Sequence, residues 1–394
     1  MRPERIDDMR RFPASPITAL VDETPQYDLG ESYCRELTLG DLLSADEIAG
    51  LSEVPLGYGS SAGAPELRQL IADRHEVTRD EVLLTTGAAS SLFLLGLLFG
   101  DSDGDIIVVR PSFPPMLDAL RGISARIATV QLRFADSYRL DPTALAAALS
   151  ADTRLVMLAS PHNPSGVAIS GEDIERTLVA MQRVCPDAFL LVDEIYRDAT
   201  HGQAPIPPSV AALSPKVITC SSLSKAHGTP GLRIGWLTVR DAALYEQLRL
   251  ARFNSAVSCG TLDEALAGRV LERAEAILAP RRAFLAGAVA IVEEWLAEQQ
   301  GELHWVRPDA SAFCCVQLDP DTFPSARVER FYAELSERRT VVAPGDWFGD
   351  DSRVFRLGFG YLPLDELRAG LKTITQARLA SADMSLLEVA PTPR

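Results

Sequence analysis

Lys225 is the residue in this chain best suited to covalent chemistry. Positive charge is carried almost wholly by arginine, and Lys216, Lys225 and Lys372 are the only lysines. The two residue types are interchangeable where only a surface charge is wanted. They are not where a primary amine must act, because guanidinium stays protonated whereas an ammonium's pKa falls readily on burial. A neutral amine of this kind attacks carbonyls and forms Schiff bases. Lys225 lies in VITCSSLSKAHGTPGLRIGW, behind a short apolar run and several hydroxyl-bearing residues, with Arg233 eight residues further on. An isolated S-x-S-K is more often a loop cap than a nucleophile, so the weight falls on its surroundings.

Other apolar runs also end in polar residues of useful types. After EVLLTT come Gly87, Ala88 and Ala89 at a helix start, where free backbone N–H groups and the helix dipole can hold a phosphate. After DIIVVRP come Ser112 and Phe113, an aromatic able to lie flat on a planar ring. After LVMLASP comes His162-Asn163-Pro164-Ser165-Gly166, a tight turn that presents the Asn163 amide. After FLLV comes Asp193-Glu194-Ile195-Tyr196; an aspartate ending an apolar strand is partly buried and needs a cationic partner or strong hydrogen bonds. After VITC come Ser222, Lys225 and Arg233. Singly, each has a plain explanation: a small-residue helix start, a core phenylalanine, an ordinary turn. Jointly they supply a phosphate clamp, a flat aromatic, an amide, a buried carboxylate and a reactive amine, in chain order on successive strands.

The elements that must position them alternate between helix and strand from Pro65 onward. PELRQLIADRHEV reads as a helix with proline in its first turn, AASSLFLLGLLFG as a buried helix, and LDPTALAAALS as a helix with Asp141 at its N-cap and Pro142 at N1. TRLVMLASP, FLLVDEIY and KVITCSS are apolar strands without period-two alternation, as expected of strands covered on both faces. GEDIERTLVAMQRV is the helix between the first two. This order predicts an α/β domain, a mostly parallel sheet with helices on either side, with ligands bound beyond the carboxyl ends of the strands. Long helices from Asp241 to about Gln300 lead to a second texture. There ELHWVRP, SAFCCVQL, TVVAP and RVFRLGF read as strands, and ARVERFYAELSERR and LDELRAGLKTITQARL as helices. The expected division is an N-terminal arm over 1–44 that joins the small domain, a large domain over 45–275 and a small α+β domain over 276–394. The tail beyond Ala380 is expected to be loose at its end.

Composition bounds the function. At 394 residues the chain exceeds the usual single domain. Its 47% hydrophobic and 23% charged content is that of a soluble globular protein. A net charge of −16 with interspersed carboxylates and arginines argues against a nucleic-acid or anionic-membrane partner. Any anionic ligand must therefore be held by a local site. Cys34, Cys185, Cys220, Cys259, Cys314 and Cys315 contain no C-x-x-C pair, which favours a reducing cytoplasm and no structural metal. No signal peptide is visible in MRPERIDDMRRF, and the longest apolar run, Leu92 to Phe99, is too short to span a bilayer.

One cofactor needs the whole set. Pyridoxal 5′-phosphate requires a lysine for its aldehyde, a carboxylate that keeps its pyridine nitrogen protonated, and a seat for its phosphate. YGSSAGAPELR, TTGAASSL, RPSF, SPHNPSG, VDEIY, SLSKAHGTPGLRIGW, APGDWFG and FRLGF follow in order between Pro55 and Leu379, and this set resembles the class I/II aminotransferases, the fold-type-I pyridoxal-phosphate enzymes. The resemblance implies a seven-stranded, mostly parallel sheet in the large domain and amino transfer between an α-amino acid and a 2-oxo acid. It implies that Lys225 forms the internal aldimine and shuttles the proton at Cα, and that Asp193 pairs with the pyridinium nitrogen. Asn163 and Tyr196 would hydrogen-bond the ring's phenolic oxygen, and Phe113 would stack on the ring. The backbone at Gly87, Ala88 and Ala89, the Ser222 hydroxyl and the Arg233 guanidinium would hold the phosphate. Arg356, in FRLGF, would take the substrate α-carboxylate as a bidentate fork. Tyr58, in GYGSSAG, would reach the phosphate of the neighbouring subunit, which implies a symmetric homodimer.

Two features depart from the common pattern. Where many relatives carry LGxGEPD beside the substrate, this chain has Asp28-Leu29-Gly30-Glu31-Ser32-Tyr33. DLGESYCRELTLGDL loosely resembles the segment of capreomycidine synthases, relatives that cyclise a hydroxylated arginine. With Gly30, Glu31 and Asn163 at the substrate, Glu31 favours a cationic side chain; paired with a surface arginine such as Arg35, it carries no such message. PDASAF replaces the usual P-x-G-A-F, which would narrow the pocket mouth. Transamination is one reading, and elimination with cyclisation, or oxidation, of an arginine-like amino acid is the other. The fold hosts both chemistries. A non-catalytic binding protein on the same scaffold is opposed by the intact Lys225, Asp193 and Arg356.

Overall fold

The computed structural model describes residues 15–22, 24–100, 104–123 and 125–382. The charged N-terminal stretch read for a signal peptide and the end of the C-terminal tail lie outside the described residues. The strands in chain order are β1 (Tyr27–Asp28), β2 (Val82–Thr86), β3 (Asp105–Arg110), β4 (Arg126–Gln131), β5 (Thr153–Ala159), β6 (Phe189–Asp193), β7 (Val217–Ser222), β8 (Ile234–Val239), β9 (Leu303–Val306), β10 (Phe313–Leu318), β11 (Thr340–Val341), β12 (Ala343–Pro344) and β13 (Val354–Gly358).

Seven strands form one sheet in the order β2-β8-β7-β6-β5-β3-β4. All run parallel except β8, which is antiparallel to both β2 and β7. The unbroken apolar runs follow from helices on both faces. Ile106, Val108, Leu155, Met157 and Leu191 pack to one side with Leu92, Leu95 and Leu248 of the helices Gly87–Gly100 and Ala242–Ala256. Their alternates Ile107, Val109, Val156, Leu158 and Leu190 pack to the other with Leu145, Ile174 and Met181 of Pro142–Ala148 and Gly171–Val184. Asp141 caps the first of these, its carboxylate accepting from Thr143 N at 2.8 Å with Pro142 at N1. The edge strand β4 and the helix Pro114–Gly122 escaped sequence reasoning. RIATVQ is mostly unburied and mixed in polarity, so it lacks the signal that its buried neighbours give.

The second sheet is antiparallel, in the order β12-β13-β10-β9. Its core gathers Val289, Val292, Cys314, Val316, Phe331, Phe355, Leu357 and Leu371 from the strands and from the helices Ala274–Ala297, Ser325–Glu337 and Leu364–Ala380. Leu29 and Cys34 of the N-terminal segment are buried in that same core. TVVAP, read as one strand, divides at Val342: β11 pairs in parallel with β1, and β12 pairs with β13. The N-terminal segment is thereby stitched to the second sheet and carried across to the edge of the first.

Candidate active site

β2, β3, β5, β6 and β7 end along one edge of the large sheet. Because β8 runs the other way, it begins at that edge, with Ile234 opposite Thr86 and Gly235 opposite Ser222. Residues far apart in the chain therefore meet around one cavity of about 580 Å³. Ala88, Ala89, Phe113, Asn163, Asp193, Tyr196, Ser222, Lys225 and Arg233 line it, and so does Glu31 from the N-terminal segment. Gly87, Gly30 and Arg356 stand just behind this wall. Tyr58 does not line the cavity of its own chain; it is 88% exposed.

The amine comes first. Lys225 follows β7, and its Nζ donates to Ser32 Oγ at 3.0 Å and stands 5.6 Å from the centre of the Tyr33 ring. Burial brings its pKa down to about 8, against the pull of the neighbouring Glu31 carboxylate. Glu31 is itself buried, accepts from Ser32 N at 3.2 Å, and has its pKa raised by burial, with Lys225 opposing. It makes no ion pair with Arg35 among the described residues and lines the cavity. Ser32 was missed in the sequence, where a serine in a loop carries no signal of its own.

Asp193 closes β6. Its Oδ1 accepts from Ile195 N at 3.0 Å, and the Cys220 thiol supplies a weaker bond. No cation lies within ion-pairing distance of it among the described residues, and burial raises its pKa to about 6. A desolvated carboxylate in this state favours an arriving cation.

The anion seat is built from backbone. Gly87 takes φ +74° and has the Arg233 guanidinium packed where a Cβ would stand, so only glycine fits this turn. The first-turn N–H groups of the helix Gly87–Gly100 are left for a ligand at Ala88 and Ala89. Ser222 Oγ accepts from Ser224 N at 3.2 Å, and Arg233 Nη1 donates to Pro230 O at 2.8 Å. Arg233 itself sits at φ +51°, a turn that swings its side chain over Gly87 before β8 begins.

Arg356, on β13, is 1% exposed. Nη1 donates to Asn163 Oδ1 at 2.9 Å and Nη2 to Gly30 O at 2.7 Å, while Nε has no partner. Gly358 lets residues 29–31 lie against β13, since a Cβ there would overlap Glu31 O, and Gly358 N donates to Leu29 O at 2.7 Å. His162 was quoted in the sequence only as part of a turn. Its Nε2 donates to Pro111 O at 2.8 Å and its Nδ1 bonds Ser165 Oγ at 2.8 Å. Burial holds its pKa down to about 4, so the neutral ring ties the Asn163 turn to the Phe113 loop.

The family "Aminotransferase class I and II" matches this sequence over residues 24–374. The chain belongs to that family. It is 28% identical to capreomycidine synthase of Streptomyces vinaceus over 375 residues, covering 93% of this chain and 94% of that one. It is also 28% identical to arginine–pyruvate transaminase of Pseudomonas aeruginosa over 322 residues, covering 78% and 80%. Among solved structures, a pyridoxal-phosphate-dependent aminotransferase of Streptococcus suis superposes with a TM-score of 0.82 at 24% identity, covering 92% and 95%. The fold is therefore fold type I, and the cofactor of this class I/II enzyme is pyridoxal 5′-phosphate. The residues present fit that group. They offer a low-pKa amine, a buried carboxylate with no ion-pair partner among the described residues, a flat aromatic and a glycine-based anion seat on one cavity. No described helix is long and apolar enough to cross a membrane.

Proposed function

We propose that the protein is an aminotransferase that moves the amino group of an α-amino acid to a 2-oxo acid. The observation that carries this reading is the pairing, on one cavity, of the Lys225 amine with the cation-free Asp193 carboxylate. When bound, pyridoxal 5′-phosphate supplies the aldehyde that receives the amino group and a ring that withdraws electrons from the substrate's Cα. Lys225 would hold that aldehyde, and its amine would take and return the proton at the substrate's Cα. Asp193 would keep the ring nitrogen protonated. Asn163 and Tyr196 would hold the ring oxygen, Phe113 would cover the ring, and Ala88, Ala89, Ser222 and Arg233 would hold the phosphate. Arg356 orients the α-carboxylate with the donors that Asn163 and Gly30 leave free. The test is a panel of amino donors, arginine included, scored by conversion of the bound cofactor to pyridoxamine 5′-phosphate. At least one donor is expected to convert it; a loaded protein that no donor converts is not a transaminase.

A second reading is favoured by Glu31, whose buried carboxylate faces the cavity with no ion-pair partner among the described residues. It suits a substrate with a cationic side chain, in line with the arginine–pyruvate transaminase relative. On such a substrate the same site could run elimination and cyclisation or, with dioxygen as the electron acceptor, oxidation. Product mass spectrometry without any 2-oxo acid separates the two: a cyclised or oxidised amino acid, or free ammonia, marks the second.

We also propose a homodimer in which Tyr58 reaches the partner's phosphate seat. The support is the exposure of two large apolar side chains, Leu56 and Tyr58, at 87% and 88%, and light scattering tests it. With it go the boundaries 44/45 and 275/276 and a cytoplasmic setting.

A further inference from the structure

We propose that Ser32 is the positioning residue for the Lys225 amine, holding it whenever it is free of the cofactor. This rests on the role proposed above for Lys225. Ser32 is 5% exposed and its Oγ accepts from Lys225 Nζ at 3.0 Å; it is also near enough to the Tyr196 phenol to favour that group's ionised form, though burial prevails there.

The contact is fixed from both ends. Cys34 N donates to the backbone carbonyl of Lys225 itself at 3.1 Å. On the other side of Ser32, Leu29 N donates to Val341 O at 2.9 Å, Gly358 N to Leu29 O at 2.7 Å and Arg356 Nη2 to Gly30 O at 2.7 Å. Ser32 is thus held against the amine by bonds from β11, from β13 and its Arg356 side chain, and from the lysine's own loop.

The residue type matters. A carboxylate at this spot would hold the amine as ammonium, whereas a neutral hydroxyl takes one N–H and leaves the lone pair for the proton at Cα. The charged and titratable groups that face Lys225 are Glu31, Arg356, Asp193 and Arg233, with Tyr33 and Tyr196 alongside. They are of mixed sign and partly offset one another, so the neutral acceptor sets where the amine points and adds only a modest preference for its charged form.

Capture of pyridoxal 5′-phosphate by the apoprotein reads the neutral amine directly, without turnover. In the wild type the capture rate should rise with pH through about 8. Ser32→Ala removes an acceptor that favours the ammonium, so the midpoint should fall by about half to one pH unit. The rate at which a donor converts the bound cofactor should fall about 10- to 100-fold, with donor affinity unchanged. Ser32→Thr should restore both, and Ser32→Cys, a weaker acceptor, should fall between. A Ser32→Ala protein that melts like the wild type and matches its midpoint and conversion rate overturns the proposal. So does Ser32→Thr binding the cofactor without restoring either. Borohydride trapping and peptide mapping separate this from failure of the underlying reading. Label on the Lys225 peptide with an unmoved midpoint defeats Ser32 alone, and label elsewhere defeats Lys225 itself.

Discussion

Asp193 and Glu194 are adjacent at the end of β6 and almost equally buried, at 5% and 3% exposure, yet they occupy opposite electrostatic worlds. Glu194 turns away from the cavity into a closed network. Ser209 Oγ donates to its Oε2 at 2.7 Å and Val210 N to its Oε1 at 2.8 Å, with His75 Nδ1 at 3.4 Å and Arg197 Nε at 3.9 Å. Trp236 Nε1 donates to His75 Nε2 at 3.1 Å, so the imidazole proton lies on Nδ1, where Ser209 Oγ accepts it at 3.0 Å and relays the contact to the carboxylate. These donors outweigh burial and hold the Glu194 pKa below its ordinary value. Asp193 has one backbone N–H and one thiol, burial prevails, and its pKa rises to about 6. A satisfied buried carboxylate belongs to the fold; an unsatisfied one on a cavity wall waits for a ligand.

The largest expected effect breaks this pair apart. Asp193→Asn should lower the rate of amino transfer about 10³-fold while leaving the apoprotein as stable or more so. The sign follows from linkage. A carboxyl whose folded pKa lies above its unfolded value favours the fold at low pH and loses that contribution as pH rises from about 4 to about 6. Above that window the ionised Asp193 costs the apoprotein roughly 2–3 kcal/mol, which asparagine removes. Glu194→Gln should do the reverse, costing about 2–4 kcal/mol of stability with the turnover of the folded fraction within about threefold of wild type. Its contribution has the opposite pH sense: present above the unfolded pKa, and lost as pH falls through the lowered folded value. Melting curves of the apoproteins from pH 4 to 8, beside single-turnover conversion, check both. A Glu194 variant that keeps its stability and loses its chemistry would invert the contrast.

Much of this site was legible because of where polar residues fall relative to apolar runs. Strands covered on both faces announce themselves as unbroken stretches, and parallel order puts everything after them on one edge. Lys225, Asp193, Asn163, Phe113 and Ala88 could therefore be gathered before any contact was known. What the residues alone could not give was long-range and carried by backbone: the family resemblance placed Gly30, Glu31 and Arg356 at the substrate, but not the bonds that hold them there. Arg356 meets Gly30 O across 326 residues, and Ser32 meets Lys225 across 193. β1 is two residues long, too short to show a period, yet its pairing with β11 brings Glu31 and Ser32 to the cavity. The Glu194 network was equally hidden, since Asp-Glu in sequence gives no hint that one faces a ligand and the other a histidine.

Glu31 belongs with Asp193 in this contrast: buried, on the cavity wall, with one backbone donor and a pKa raised by burial. Glu31→Gln should reduce the preference for amino donors with a cationic side chain over neutral ones about 10- to 100-fold, the worth of one charge-assisted hydrogen bond. Neutral donors should be nearly unaffected. Competition between arginine and a neutral donor of similar length reads the ratio directly, and equal loss on both would place Glu31 with Glu194 as a structural group.

The smallest effect is the sharpest test of why the two neighbours differ. Cys220 lies opposite Asp193 on β7, and burial holds its thiol protonated, so it donates to the Asp193 carboxylate only as a weak S–H group. Cys220→Ala removes that donor and should move the Asp193 pKa up by less than about one unit. Cys220→Ser offers a stronger O–H donor and should move it down by a similar amount. In the apoprotein these shifts appear as displacement, to higher and to lower pH respectively, of the window over which stability declines. Both should vanish in an Asp193→Asn background, which removes the titrating group. Loading the cofactor should shrink them too, because an adjacent full positive charge dominates a thiol dipole. If the window stays put in both cysteine variants, donor supply is not what separates Asp193 from Glu194, and burial alone must account for it.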